Sequence, residues 1–550
     1  MSPRAGEGIS HHVLATAPEK RDARRMRALA LLALFLAPLA PLIGGGKPNV
    51  LVILTDDLGY SDLGCYGSEI ETPTLDRLAA NGLRFSQFYN TAKCHSSRVA
   101  LLTGRYSRQA GDESMYRAFT LPEVLRPAGY FTAMTGKWHL SEEPTDFGFD
   151  RYFGHLSGAT NYYKGDKTFR LHGEPWRIPD EGFYTTTANV DFALRFIGEA
   201  REAKKPWFLY IAFNAPHAPI QPLKADYEKY RDRYTGGWDE IREARVAKQR
   251  KLGLLGVDAK VDARPDHIPA WESLPEATRD WESRRMAGYA ALIDRVDQEL
   301  ARIVADLEKS GELDNTLLLF FSDNGACPFD RNNRGMDLEP HNPESNWTDS
   351  TGWAWARNSP FRFYKQNQFE GGIATPAIAH WPEGLKTKPG AINPTPAHLV
   401  DILPTIAAIA GASIPKEFPG RVPTPLAGVS LAPIFAGKAL EKRPAIHLLF
   451  EQDRGLRDGD WKLVSFRGGP WELYNIAEDR TETTNLAGTH PERVAAMAAE
   501  WHRMAKEEVL ATPQEQKPVG EEAPKRHTQW TDFSGKHPER QSGGRKKTKE

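Results

Sequence analysis

Asn49-Val50-Leu51-Val52-Ile53-Leu54-Thr55-Asp56-Asp57 is a short apolar run that stops at two carboxylates. Such a run, without polar alternation, reads as a strand buried on both faces, the mark of a parallel sheet covered by helices. Three further stretches repeat the plan. Tyr130-Phe131-Thr132-Ala133-Met134-Thr135-Gly136 leads into Lys137-Trp138-His139, and Trp207-Phe208-Leu209-Tyr210-Ile211-Ala212-Phe213 leads into Asn214-Ala215-Pro216-His217. Thr316-Leu317-Leu318-Leu319-Phe320-Phe321 leads into Ser322-Asp323-Asn324. In open α/β sheets the ligand site lies beyond the carboxyl ends of the strands, so these polar clusters are expected together at one edge. They bring carboxylates, an amide, a lysine and histidines, enough to hold a metal and an anion.

Helical signals fall between the strands. Thr72-Pro73-Thr74 opens a short helix closed by Asn81-Gly82. From Met286 to Leu307 apolar residues recur at three- and four-residue spacing, Gly311 lies just past the end, and the chain returns directly into the Thr316 strand. The expected fold class is therefore α/β: a large, mostly parallel sheet flanked by helices over residues 47–442, with a smaller C-terminal α+β subdomain on an antiparallel sheet over 443–508. In the latter, Trp461-Lys462-Leu463-Val464 and Trp471-Glu472-Leu473-Tyr474 read as strands joined through Gly468-Gly469, followed by a helix from Pro491 to near Lys506. Residues 509–550, rich in Pro, Lys, Arg and Glu, read as a disordered basic tail. The charged stretch 222–285, broken by Pro265 and Pro269, reads as a surface insertion. Residues 328–360 read as loops at the site, in which Trp347, Trp353 and Trp355 either stack on a substrate ring or anchor packing.

Arg24, Arg25 and Arg27 precede the apolar run Ala28–Leu36, and small residues follow, the pattern of an export signal. Interrupted by Pro38 and Pro41, this run is shorter than the ~20 residues of a spanning helix. Met26 makes a better start than Met1, so residues 1–25 are expected to be a mis-assigned, non-coding start and 26–46 a signal peptide. The protein is expected to be periplasmic or secreted, with no stable membrane span. A net charge of −1 provides no global field to favour nucleic acid. Cys65, Cys94 and Cys327 make no disulfide framework, and two free thiols at Cys65 and Cys327 are favoured over a bridge.

Taken alone, Asp56-Asp57 reads as a solvated turn. With Asp323-Asn324 after a second buried strand, the set becomes an all-oxygen shell suited to Ca2+ or Mg2+, whereas zinc would want histidine or thiolate. Lys137 and His139, two apart on a strand extension, are expected to point to one side, an ammonium for an anion and an imidazole for a proton. His217 lies in the proline-fixed loop Asn214-Ala215-Pro216-His217-Ala218-Pro219, and Lys365 shortly precedes Phe369-Glu370-Gly371-Gly372-Ile373 and another short strand. Cys94-His95-Ser96-Ser97-Arg98 opens a short helix, placing Cys94 where backbone N–H groups and the dipole favour an anion. By itself the pentapeptide reads as an inert packed cysteine.

In this order and company the motifs resemble the sulfatases of the alkaline-phosphatase superfamily, most nearly the bacterial formylglycine-dependent arylsulfatases. The resemblance runs from Pro48 to near Lys506 and includes the Asp56-Asp57 strand, the Cys94 segment with Leu102-Thr103-Gly104-Arg105, Gly136-Lys137-Trp138-His139 and Ala215-Pro216-His217. It continues through Ser322-Asp323-Asn324-Gly325, Glu370-Gly371-Gly372-Ile373 and Gly459-Asp460-Trp461-Lys462-Leu463-Val464. It implies an alkaline-phosphatase-like fold and a hydrolase of aryl or carbohydrate sulfates. A maturase would oxidise Cys94 to formylglycine, whose hydrated gem-diol attacks sulfur and passes through a sulfoenzyme intermediate. Asp56, Asp57, Asp323, Asn324 and residue 94 would ligate one Ca2+, in preference to Mg2+. Arg98 would hold the gem-diol, and Lys137 and Lys365 would bind sulfate oxygens. His139 would take the proton as the second hydroxyl expels sulfate, and His217 would bind sulfate and protonate the leaving alcohol. A gem-diol suits this chemistry because one oxygen attacks while the other eliminates the product. The chain departs from the family at Ser96, where Pro or Ala is usual. The alternatives are a phosphodiesterase or phosphonate monoester hydrolase of the same superfamily, or a non-catalytic binder of sulfated glycans if Cys94 stays a thiol. The implied partners are a sulfated small molecule or glycan and the maturase.

Overall fold

The structure, a computed structural model, describes residues 46–330, 337–441 and 443–517. The expected leader before residue 46 and the tail from 518 onward lie outside the described residues.

The apolar runs form four adjacent parallel strands: β1 (Asn49–Thr55), β2 (Phe131–Lys137), β3 (Trp207–Ala212) and β4 (Thr316–Ser322). They stand in the order β4-β1-β3-β2 at the centre of a ten-stranded sheet. Beyond β4 lie Ala377–His380, Leu83–Phe85 and Ala391–Asn393; beyond β2 lie Arg151–His155, Phe169–Leu171 and Glu174–Pro175. The antiparallel pairings fall on these flanking strands, with Ala377–His380 running against β4. Val50 to Leu54 are fully buried, as a strand covered on both faces requires.

Register then fixes the site. Thr55 pairs with Ser322, Leu54 with Ala212, and Gly136 with Ala212, so the strands end at one level. Each next residue enters the same edge, tied by Asp56 N–H to Ala215 O and Asp323 N–H to Thr55 O, both 3.1 Å.

Helices cover the faces: α1 (Pro73–Ala80), α2 (Cys94–Thr103), α3 (Thr185–Glu202), α4 (Lys224–Tyr230), α5 (Gly237–Leu252) and α6 (Glu276–Ser310). The last is 35 residues long, beginning ten residues before the periodic stretch read from sequence, and ends on Gly311 in the left-handed region. The 222–285 stretch lies at the surface with most of its charged residues exposed, but one face of it packs into the core. Trp238, Arg242 and Arg245 are buried. Arg245 meets Asp62 at 2.6 Å and Glu69 at 2.8 Å, and Arg242 donates to Trp355 O and Pro360 O. These two arginines turn inward because core carboxylates and carbonyls accept them, while most of the other charged residues of the stretch are exposed.

The C-terminal unit is a sequential antiparallel sheet of β5 (Ile446–Phe450), β6 (Asp453–Asp458), β7 (Trp461–Ser465) and β8 (Glu472–Asn475). The helix Pro491–Met504 covers it, packing Met497, Trp501 and Met504 on Leu456, Leu463 and Leu473. Within residues 509–517, which composition assigns to the tail, Val509, Ala511 and Glu515 are buried, and Glu515 accepts from Arg108 at 3.0 Å, while Pro513, Gln514 and Lys517 are exposed. Trp347, Trp353 and Trp355 are packing anchors. All three are buried, Trp347 stacks on Trp281, and Trp353 meets Trp238 and Trp271 edge-on. Among the described residues no helix is long and apolar enough to cross a membrane.

Candidate active site

Helix α2 begins at Cys94, and Arg98 lies one turn further on the same face. Cys94 is buried beneath the strand ends. Ser97 Oγ donates to Asp323 O at 2.5 Å and accepts the Thr91 N–H at 3.0 Å, pinning the first turn to the end of β4. Ser96 is held by Thr91 Oγ1 at 2.6 Å and by Lys93 O at 3.1 Å, so the residue that departs from the family pattern is fully bonded.

The carboxylates converge at this helix terminus. Ligand atoms of Asp56, Asp57, Cys94 and His217 lie within 4.8 Å of one another. Asn324 Nδ2 donates to Asp57 Oδ1 at 2.6 Å, and the Asp57 N–H to Asp323 Oδ1 at 3.4 Å. Asp57 sits in the left-handed region with φ 68, a turn that Asp tolerates better than most residues. Arg98 donates to Asp323 Oδ2 and to Lys137 O, both at 2.8 Å. Lys137 Nζ bonds Asp56 Oδ2; Lys365 Nζ bonds Asp57 Oδ1 and reaches Cys94 Sγ at 3.2 Å. His217 Nε2 stands 3.5 Å from Asp57 Oδ2 while its Nδ1 donates to Ala218 O at 2.6 Å, leaving Nε2 free for a proton.

His139 departs from expectation. The strand stops at Lys137, and His139 takes φ 56 on the loop beyond, its N–H bonded to Leu156 O, so strand alternation does not set its direction. It still ends beside the site, 6.0 Å ring to ring from His95, with a buried Nδ1 that has no hydrogen-bond partner among the described residues. All three cysteines are buried, and none is joined in a disulfide.

Three carboxylates face Arg98, Lys137 and Lys365, and the balance of burial and charge sets their protonation. Burial alone would raise Asp56 and Asp57, but Lys137 and His217 hold Asp56, and Lys365 and His217 hold Asp57, below the ordinary carboxylate range. Burial and the neighbouring Asp56 push Asp323 up to about 7 against Arg98. Burial, then Lys137, depresses His139 far below its usual value, so its imidazole is neutral. Burial lowers His217 as well, against the pull of Asp56 and Asp57.

Asp56 Oδ1, Asp57 Oδ2 and Asn324 Oδ1 are buried acceptors with no hydrogen-bond partner among the described residues. Buried oxygens left unpaired are costly unless a cation takes them. This is a hard-oxygen set that fits Ca2+ or Mg2+.

Supporting groups escaped the sequence reading. Tyr289 on α6 and Arg357 on α7 (Thr351–Arg357) both donate to Asp57 O at 3.1 Å. Tyr289 also binds Asp62, and Arg357 binds Asp349. Tyr210, within the β3 run, lies beside Arg98. Tyr289 and Tyr210 sit in apolar stretches and read as core, and Arg357 closes an unremarkable loop segment, so local pattern marks none of them.

Comparison with known proteins matches the sulfatase family over residues 48–412. An uncharacterised sulfatase of Schizosaccharomyces pombe is 32% identical over 528 residues, covering 83% of this chain and 93% of that protein. An arylsulfatase of Klebsiella aerogenes is 30% identical over 448 residues, covering 72% and 94%. The crystal structure of Ps i-CgsB in complex with k-i-k-neocarrahexaose superposes with TM-score 0.63 and 26% identity over 86% of this chain and 95% of that one. The fold is alkaline-phosphatase-like, and the chain belongs to the sulfatase family of sulfuric ester hydrolases.

Proposed function

We propose that the protein hydrolyses an aryl or carbohydrate sulfate at residue 94. The observation that carries this reading is the convergence of Asp56, Asp57, Asn324 and His217 on Cys94, with Arg98, Lys137 and Lys365 bonded into the same cluster. Oxidised by a maturase to the hydrated aldehyde, residue 94 would supply one hydroxyl for attack and a second for release of sulfate. Asp56, Asp57, Asp323 and Asn324, with residue 94, would hold one Ca2+, which supplies positive charge to a sulfuryl oxygen and to the nucleophile.

The chain's own side chains do the rest. Arg98, fixed between Lys137 O and Asp323, orients residue 94 and balances the carboxylate charge beside it. Lys137 and Lys365, buried and held in place, present cationic charge to the sulfate oxygens where the transition state needs it. Neutral His139 accepts a proton from residue 94, and His217, whose Nδ1–H stays on Ala218 O, takes a proton at Nε2 and passes that proton to the departing alcohol oxygen. The arylsulfatase among the relatives and the neocarrahexaose bound by a structural relative support both substrate classes. The basic and apolar N-terminal pattern supports export to the periplasm or medium.

Two measurements test the reading. Mass spectrometry of the Cys94 peptide from the native host should find the aldehyde, and an intact thiol throughout would overturn it. Turnover of an aryl sulfate should exceed that of an aryl phosphate diester, and the reverse ranking would mark a phosphodiesterase.

A further inference from the structure

Two motifs that the site does not use meet inside the molecule. Lys462 Nζ, on β7, lies 2.9 Å from one carboxylate oxygen of Glu370 and 2.7 Å from Glu482, and Arg480 reaches the other Glu370 oxygen at 2.6 Å. Glu482 Oε2 accepts the Glu370 N–H at 2.8 Å. Lys462, Glu370 and Glu482 are all fully buried. Despite burial, Arg480 and Lys462 hold Glu370 down at about 2, while burial pushes Glu482 up to about 7 against the pull of Lys462.

A buried ion cluster is weak evidence for stability, because apolar residues of equal volume often pack as well; what such charges add is a single geometry. Here that geometry bears on the active site. Glu370 opens the helical turn Glu370–Ile373, whose glycines wrap the loop carrying Lys365. The Gly371 N–H donates to Arg362 O at 3.1 Å, and a Cβ on Gly371 would lie 2.3 Å from Arg362 O and Phe363 O. A Cβ on Gly372 would lie 2.0 Å from Asn367 O. On its other side Gly372 O accepts the Gly325 N–H at 3.0 Å, next to Asn324. Phe363 and Phe369 pack with Val464, Tyr474 and Ile476 of the C-terminal unit, and Arg362 donates to Glu482 O.

We propose that Lys462 and Glu370 are positioning residues, through whose buried ion pair the C-terminal sheet sets where Lys365 stands in the active site. The proposal rests on the reading of Lys365 as a ligand of the sulfate oxygens. It explains why residues 92 apart, both absent from the chemistry, are paired out of solvent.

A double-mutant cycle on the full-length, matured enzyme tests it, with an aryl sulfate as substrate and kcat and KM resolved. Lys462→Met should lower kcat/KM at least tenfold alone, mainly through kcat, yet less than threefold when added to Lys365→Ala. Its effect on the thermal midpoint should be equal in both backgrounds, since packing is lost in each. An equal loss of kcat/KM in both backgrounds, or a loss under threefold in the wild-type background, overturns the proposal while leaving the site reading intact. A Lys365→Ala enzyme within threefold of wild type overturns both. If Lys462→Met does not fold, Glu370→Gln, which keeps volume and an acceptor oxygen, takes its place in the cycle with the same expected factors.

Discussion

Replacing Lys137 by methionine should make the protein bind calcium more tightly and turn over substrate more slowly. Lys137 and Asp56 are both fully buried, and the ammonium bonds Asp56 Oδ2. Two unit charges about 4 Å apart at an effective dielectric near 20 attract by about 4 kcal/mol. Removing one member of such a buried pair costs ~3–5 kcal/mol, since the other charge is left without its partner. Arg98, 3.7 Å from Asp56 Oδ2, and His217 soften the loss, so about 3 kcal/mol of unfolding free energy should disappear in chelator. A divalent ion at Asp56 then meets one fewer positive charge, and each ~1.4 kcal/mol of relieved repulsion tightens binding tenfold. Turnover should move the opposite way, because losing one preorganised donor to a developing anion costs ~10²–10³-fold in rate. Calcium titration followed by urea denaturation, and kcat/KM on an aryl sulfate, measure both arms. Calcium affinity unchanged or weakened, or kcat/KM within threefold of wild type, would refute the reasoning.

Cys94→Ala should fold with a wild-type urea midpoint and show no turnover; substantial residual activity would mean another residue is the nucleophile. Gly325→Ala should cost more than tenfold in activity and lower the thermal midpoint, because the added Cβ would lie 1.9 Å from Gly371 O, backbone that no rotamer change can move; a wild-type enzyme would show that the contact yields. Stability should fall as pH drops below 6.5, because burial lowers His398 and His447 to about 3. The folded state keeps them neutral while the unfolded chain takes up protons, so the stability they contribute is complete above 6.5 and is lost as pH falls toward 3. Between pH 6.5 and 5 each accounts for about 2 kcal/mol. His447→Gln should flatten the urea-midpoint profile in that window, and a profile parallel to wild type would show that the protonation of His447 does not set this pH dependence.

Much of the site is legible one segment at a time. Each central strand announces itself as an apolar run and hands its polar residues to the chain beyond, so Asp56, Asp57, Lys137, His217, Asp323 and Asn324 follow from the rule that parallel strands end together. Cys94 and Arg98 open a helix that by itself reads as an inert packed cysteine, and only the resemblance to the sulfatases marks them as site residues. Local pattern is silent where a contact spans distant segments. The inward arginines of 222–285 look solvated until Asp62 and Glu69 are seen to receive them, and the tryptophans of 347–355 look available until α5 and α6 cover them.

The amino-acid sequence alone determined the sheet, its edge and the chemical kinds gathered there, because hydrophobic period and strand length are properties of single segments. Tertiary structure decided which cation meets which carboxylate, that Asp57 is braced by Tyr289 and Arg357, and that Glu370 and Lys462 close on each other. Those pairings depend on strand register and helix packing, which set distances between residues that no local pattern relates.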